Sequence, residues 1–206
     1  MGVRSKINKA VLIMAMALMA FLVVFFLLIN RSRSREESQN FSPAQEVLQR
    51  DLDIRYPPSP KEVVIYYSEL SQCMYDSTTT EEDVEALARQ SRRLFDDELY
   101  ARQTDEEYIR SLKLEVAAFA EKQRKIASFT TSSAGDVVYD NTDKGELATL
   151  YCVYTMREGA LTYTDTEQFI LRRDADRHWK ILGWQKAGKN GEKNVNELKA
   201  GSPASN

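Results

Sequence analysis

Histidine occurs once and cysteine twice in this chain of 206 residues. One imidazole excludes any chemistry that needs two. Two thiols are too few for a disulfide-dense scaffold or for a zinc site built on thiolates. The eight glycines nowhere form G-x-G-x-x-G or a P-loop, so a phosphate cradle is unsupported. Acid is missing from one region only: residues 1–30 hold Arg4, Lys6 and Lys9 and no Asp or Glu. Taking those three from 28 Lys+Arg leaves 25 bases against 31 acids, a net charge of -6 for residues 31–206. Binding to nucleic acid needs clustered Lys and Arg against phosphate, so a domain of this charge argues against a nucleic-acid partner. The run Asp140 to Gly145 resembles a calcium loop only superficially. Thr142 and Lys144 stand where acids are needed and Tyr151 where the closing Glu belongs, so it reads as a turn.

What is present is a long apolar run. Residues 10–29 read AVLIMAMALMAFLVVFFLLI, without a charge. At about 1.5 Å per residue such a helix is roughly 30 Å long and spans a hydrocarbon core. A cleaved signal peptide is the rival reading. Its apolar region would be shorter and would end in a small-residue cleavage site, whereas this run ends Leu28-Ile29-Asn30-Arg31. The expectation is an uncleaved anchor over 10–30 in contact with the lipid bilayer. Three basic residues flank each side, Arg4, Lys6 and Lys9 against Arg31, Arg33 and Arg35, so the positive-inside count is level. The short tail 1–9 ahead of a long hydrophilic part favours a cytoplasmic N-terminus and an extracytoplasmic C-terminal domain.

Residues 31–58 are polar and read as a flexible stalk, with a short helix near Gln45–Arg50 and an end at Tyr56-Pro57-Pro58. Asn30-Arg31-Ser32 and Asn40-Phe41-Ser42 match glycosylation acceptors, which matter only in a glycosylating host. Ser59-Pro60-Lys61-Glu62 then opens a helix with a capping box and Pro at the first position, and Val63, Tyr67, Leu70 and Met74 form its inner stripe. Thr79-Thr80-Glu81-Glu82 opens a second helix, with a stripe of Val84, Leu87, Ala88, Ser91, Phe95 and Leu99. Thr104-Asp105-Glu106-Glu107 opens a third, with Tyr108, Leu112, Val116, Phe119 and Ala120 inward. Beyond Lys125 the composition turns β-branched and aromatic, and strands are expected near 125–132, 136–140, 146–157, 160–173 and 178–186. Short connections make them antiparallel. Helices first and strands after predict an α+β domain over 59–187, three helices on a bent antiparallel sheet of four or five strands. The tail 188–206 is polar and expected to be disordered. Gly183 inside the last strand suggests a bulge or a close backbone approach. Trp179 and Ile181 share one face of that strand, and simple alternation sends Trp184 to the other.

The three capped helices and the ending Phe169-Ile170-Leu171-Arg172-Arg173 … Trp179-Lys180-Ile181-Leu182-Gly183-Trp184 resemble the nuclear transport factor two-like superfamily, which includes ketosteroid isomerases. That resemblance implies a cone-like fold over about 59–187, often dimeric. The run Tyr56-Pro57-Pro58-Ser59-Pro60-Lys61-Glu62-Val63-Val64, with Leu182-Gly183-Trp184, also looks like an uncharacterised membrane-anchored family of Gram-positive anaerobic bacteria. The layout of tail, span and cone is similar to assembly factors of type IV secretion and conjugation systems.

Catalytic candidates are sparse. His178 reads as a solvated turn residue. Tyr163, Asp165, Glu167 and Phe169 fall on one face of an unbroken strand. A carboxylate on an apolar face has a raised pKa and can act as a general base, and enzymes of the resembled superfamily use a pocket acid with a Tyr donor. Tyr66 or Tyr67 would supply the phenol here; the alternative is that Asp165 and Glu167 lie on a solvated strand end. Cys73 and Cys152 read either as buried thiols or, outside the cytoplasm, as a disulfide. No complete catalytic, cofactor-binding or metal-ligating set emerges. The expected role is therefore a membrane-anchored, non-catalytic binding or assembly domain in the bacterial envelope, pairing with itself or with another envelope protein. The alternatives are a component of a conjugation apparatus and a ligand-binding or enzymatic cone.

Overall fold

Apolar stripes on capped helices need a common partner, and the sheet supplies it. The computed structural model describes residues 41–187. The expected cytoplasmic tail, the anchor 10–30, the first part of the stalk and the tail 188–206 lie outside the described residues. Among the described residues no helix is long and apolar enough to cross a membrane. Five helices, α1 (Pro43–Leu48), α2 (Pro60–Met74), α3 (Glu81–Arg92), α4 (Asp97–Tyr100) and α5 (Asp105–Glu121), precede five strands, β1 (Arg124–Thr131), β2 (Val138–Thr142), β3 (Gly145–Glu158), β4 (Leu161–Arg173) and β5 (Trp179–Lys186). All strand pairs are antiparallel. The order is β1-β3-β4-β5, and β2 takes the other half of the β3 edge that β1 uses. The fold is thus α+β.

The local signals explain the element starts. Ser59, Thr80 and Thr104 each accept a hydrogen bond from a backbone N–H in the first turn of their helices, and Thr104 and Glu107 complete a capping box. The stripe of α2 is buried as expected, and so are Val64, Tyr66, Ser68 and Cys73. α2 is the central helix, enclosed on most sides. Across the sheet, Ala148, Leu150 and Cys152 of β3, Phe169 and Leu171 of β4 and Ile181 of β5 are fully buried against it.

Three expectations need correction. First, residues 42–58 are not a free stalk. Ser42 caps α1 with a capping box, and Ala44 and Leu52 are buried in the common core. Tyr66 Oη donates to the Val47 carbonyl (3.1 Å) and Gln90 Nε2 to the Arg50 carbonyl (2.8 Å). Tyr56 stacks on His178 with ring centroids 4.3 Å apart, and its hydroxyl donates to the Trp179 carbonyl at 3.0 Å. A few apolar groups suffice because the surface they cover is already formed. Tyr56→Phe keeps the stack and loses that bond, and is expected to cost about 1 kcal/mol in urea unfolding.

Second, the second helix stops at Arg92. Leu94 to Asp96 run beside β5 instead, with Ile181 N–H donating to the Leu94 carbonyl (2.8 Å) and Asp96 N–H to the Ile181 carbonyl (2.9 Å). Asp96 then caps α4. The stripe residue Phe95 is still buried, but from an extended segment. Third, Trp184 does not point away from the Trp179 and Ile181 face, because β5 carries the bulge that Gly183 suggested. Ile170 pairs with Gly183 but Leu171 pairs with Ile181, which leaves Leu182 extra. A Cβ on Gly183 would meet nothing within 4 Å, so a bulge and not a close approach accounts for the position. The extra residue reverses the alternation, and Trp184 joins Phe169 on the helix-facing side.

Candidate functional site

The reversal of β5 creates the most chemically varied region of the domain. β4 places Asp165, Glu167, Phe169 and Leu171 on the helix-facing side, as its alternation predicts. Glu167 lies opposite Cys152 of β3 and opposite Lys186 of β5. Without the bulge Lys186 would face away; with it, Lys186 Nζ stands 3.1 Å from Asp165 Oδ1 and 3.3 Å from Oδ2. Only the second contact has hydrogen-bond geometry, so Asp165 Oδ1 is buried without a hydrogen-bond donor among the described residues.

Glu167 is the unusual group. No described residue donates a hydrogen bond to its carboxylate. Burial pushes its pKa up to about 7, and the carboxylates of Asp165 and Glu115 add to the rise while Lys186 opposes it. The groups around it stay neutral. Burial pushes the Cys152 thiol up to about 11 and raises the phenols of Tyr67, Tyr75 and Tyr154. Ser68 Oγ joins Tyr154 Oη (2.9 Å) and Cys152 Sγ (3.5 Å) in a buried polar cluster on the flank. Cys73 and Cys152 are both free, buried thiols.

The two candidate phenols separate. Tyr66 turns toward α1 and α3, where it bonds Val47 and accepts from Gln90 Nε2 at 3.0 Å. Tyr67 turns toward the sheet and is the one whose ionisation Glu167 opposes. Its ring contacts Trp184 (centroids 5.3 Å), Phe169 (5.7 Å) and Phe95 (6.1 Å). Trp184 also contacts Phe95 (5.8 Å) and Phe169 (6.1 Å). The rings touch one another instead of lining a space. Chemically, the region offers one carboxyl that exchanges its proton near neutrality, flanked by neutral phenols and one ammonium group.

His178 is half-exposed beneath Tyr56, 4.0 Å from Asp174, at the opposite end of the β4–β5 ladder from the Glu167–Lys186 pair. Asp140 to Gly145 is the β2–β3 hairpin, in which Thr142 pairs with Gly145. Among the described residues no group of three His, Cys, Asp or Glu is placed to hold a metal ion. Sequence reasoning missed Lys186, Trp184 and Glu115. The first two were hidden by one extra residue in β5, for which Gly183 was the available signal; Glu115 lies outside the expected stripe of α5.

No curated protein matches the chain. A solved structure from Catenulispora acidiphila is 15% identical and covers 66% of this chain and 94% of its own, with a TM-score of 0.37, too loose a superposition to bear on fold or function. The profile described as "Domain of unknown function (DUF6715)" matches residues 1–184, which include the apolar run as well as the folded domain. The chain belongs to the DUF6715 family.

Proposed function

We propose that this is a single-pass membrane protein with its N-terminus in the cytoplasm. Residues 10–30 anchor an extracytoplasmic cone-like domain of the nuclear transport factor two-like type, which works by binding protein and not by catalysis. The partner is a second copy or another envelope protein, as in a conjugation or type IV secretion-like assembly. The observation that carries the non-catalytic reading is the mutual contact of Tyr67, Phe95, Phe169 and Trp184. Side chains of the protein fill the interior between helices and sheet, where a cone enzyme would hold its substrate. The family match from residue 1 supports treating the apolar run as part of the same functional unit.

Protease added to intact cells is expected to remove the C-terminal domain while the chain stays in the membrane fraction; a protected domain, or a soluble chain starting after residue 30, overturns the topology. In-membrane cross-linking is expected to capture the same protein partner from wild type and from Glu167→Gln. A second reading, an enzymatic or ligand-binding cone, has one observation in its favour, the carboxyl of Glu167 titrating near 7 beside neutral phenols. A cellular phenotype for Glu167→Gln with capture unchanged and the fold intact would favour that reading.

A further inference from the structure

Among the described residues, the first part of β4 is paired on one side only. β3 pairs with β4 from Leu161 to Arg172, but β5 reaches only as far as Glu167, after which Ala187 N–H bonds the Thr166 carbonyl (2.8 Å). In an antiparallel ladder the outward backbone groups alternate. The bond at Thr166 therefore fixes Thr164 and Thr162 as the next residues whose N–H and C=O point to the free side. No described residue bonds these groups. The segment is also bare of side-chain cover: Leu161 is 70% exposed and Tyr163 40%, and Thr162 and Thr164 are exposed. An edge left uncovered by the described residues, with apolar side chains along it, is a template for another strand.

We infer that the edge Leu161–Asp165 pairs antiparallel with the same edge of a second copy, on a two-fold axis through Tyr163. The register is self-consistent. The axis sets Thr162 opposite the second copy's Thr164 as a hydrogen-bonded pair, which uses the outward groups of both. Tyr163 meets the other Tyr163 as a non-hydrogen-bonded pair, in which side chains come closest. Asp165 falls opposite Leu161, not opposite another acid, and keeps Lys186 as its partner. The alternative occupant is the chain's own continuation. If β5 ran on in register, Gly188, Lys189, Asn190 and Gly191 would lie along this edge, a composition that disfavours a strand. The contact is small for a stable dimer in solution, so it depends on the anchored reading in one respect: two copies confined to one bilayer meet at a high effective concentration.

The test uses the full chain in membranes. Across the axis the Cα atoms of the two Tyr163 residues would lie about 4.5 Å apart, within disulfide range. Tyr163→Cys under mild oxidation is expected to give a covalent dimer as the main species. Leu161→Cys alone, about 14 Å from its own symmetry mate at roughly 3.4 Å per residue, is expected to give at least tenfold less, and Leu161→Cys with Asp165→Cys to restore the dimer. Adding Thr164→Pro to Tyr163→Cys removes an outward N–H and is expected to abolish the product. A monomer throughout, a dimer indifferent to Thr164→Pro, or an intramolecular bond in the double variant Tyr163→Cys with Asn190→Cys each overturns the inference. A dimer seen by sedimentation in which Tyr163→Cys does not cross-link overturns this edge while leaving the protein-binding function standing.

Discussion

Glu167→Gln is expected to stabilise the domain by about 2 kcal/mol at pH 8 and to leave it unchanged at pH 4. The sign follows from linkage. In the unfolded chain the carboxyl titrates at its ordinary 4.5, and in the fold it titrates at about 7. The folded state therefore binds the proton more tightly. The contribution of the protonated carboxyl is fully present below pH 4.5 and is lost as pH rises through 7. The shift corresponds to about 3 kcal/mol at 1.36 kcal/mol per unit, and the partial exposure of the group reduces the yield. Gln is a neutral isostere, so the variant removes the pH dependence without emptying the site. Thermal melts of residues 41–187 at a series of pH values measure it: the curves for wild type and variant should meet near pH 4.5 and diverge by about 5 °C at pH 8. Parallel curves would mean that Glu167 is solvated and that burial does not raise its pKa. Asp76, hydrogen-bonded by Thr78 and lowered for that reason, acts with the opposite sign: its contribution is present above the ordinary Asp range and fades as pH falls, below the pH at which the Glu167 contribution has levelled off.

The same site shows where sequence reasoning reaches and where it ends. The side-chain alternation of β4 predicts that Asp165 and Glu167 share a face with Phe169, because a strand with a period of two needs only an unbroken ladder. Helix starts are legible for a similar reason: Ser59, Thr80 and Thr104 satisfy orphan N–H groups within three residues of themselves, a wholly local requirement. Trp184 was misplaced and Lys186 missed because one extra residue, Leu182, shifts everything after it; Gly183 signals that a bulge is possible, but the partner strand fixes where the register shifts. The end of α3 was misplaced for an equally non-local reason. Leu94 to Asp96 carry no helix breaker. They leave the helix because the edge of β5 offers their backbone better partners, and a periodic stripe through Phe95 and Leu99 contains no trace of that edge. The docking of residues 42–58 belongs to the same class, since low local hydrophobicity says little when the receiving surface is prebuilt.

That edge contact leads to the second large effect. Asp96→Ala is expected to destabilise the domain by about 3 kcal/mol, whereas the pair Asp96→Ala with Arg172→Met is expected to recover most of the loss. Asp96 is 5% exposed and receives two hydrogen bonds from the Arg172 guanidinium, one of them Nε to Oδ2 at 3.0 Å. Its other duty is to cap α4 by accepting from Glu98 N–H. Arg172 is 16% exposed at its side chain and keeps one outer partner, Glu98 at 2.8 Å. Removing Asp96 alone leaves a largely desolvated cation with an exposed acid as its only compensation, and this penalty exceeds the net worth of the pair. Removing both charges removes the penalty, and the residual deficit should be near the about 1 kcal/mol of a lost N-cap. Urea unfolding of the four corners of the cycle measures the coupling. If the double variant is as unstable as Asp96→Ala, the ion pair is not what joins the α3–α4 segment to the sheet. The backbone bonds between Leu94, Asp96 and Ile181 would then carry the connection unaided, and Arg172→Met alone should cost little.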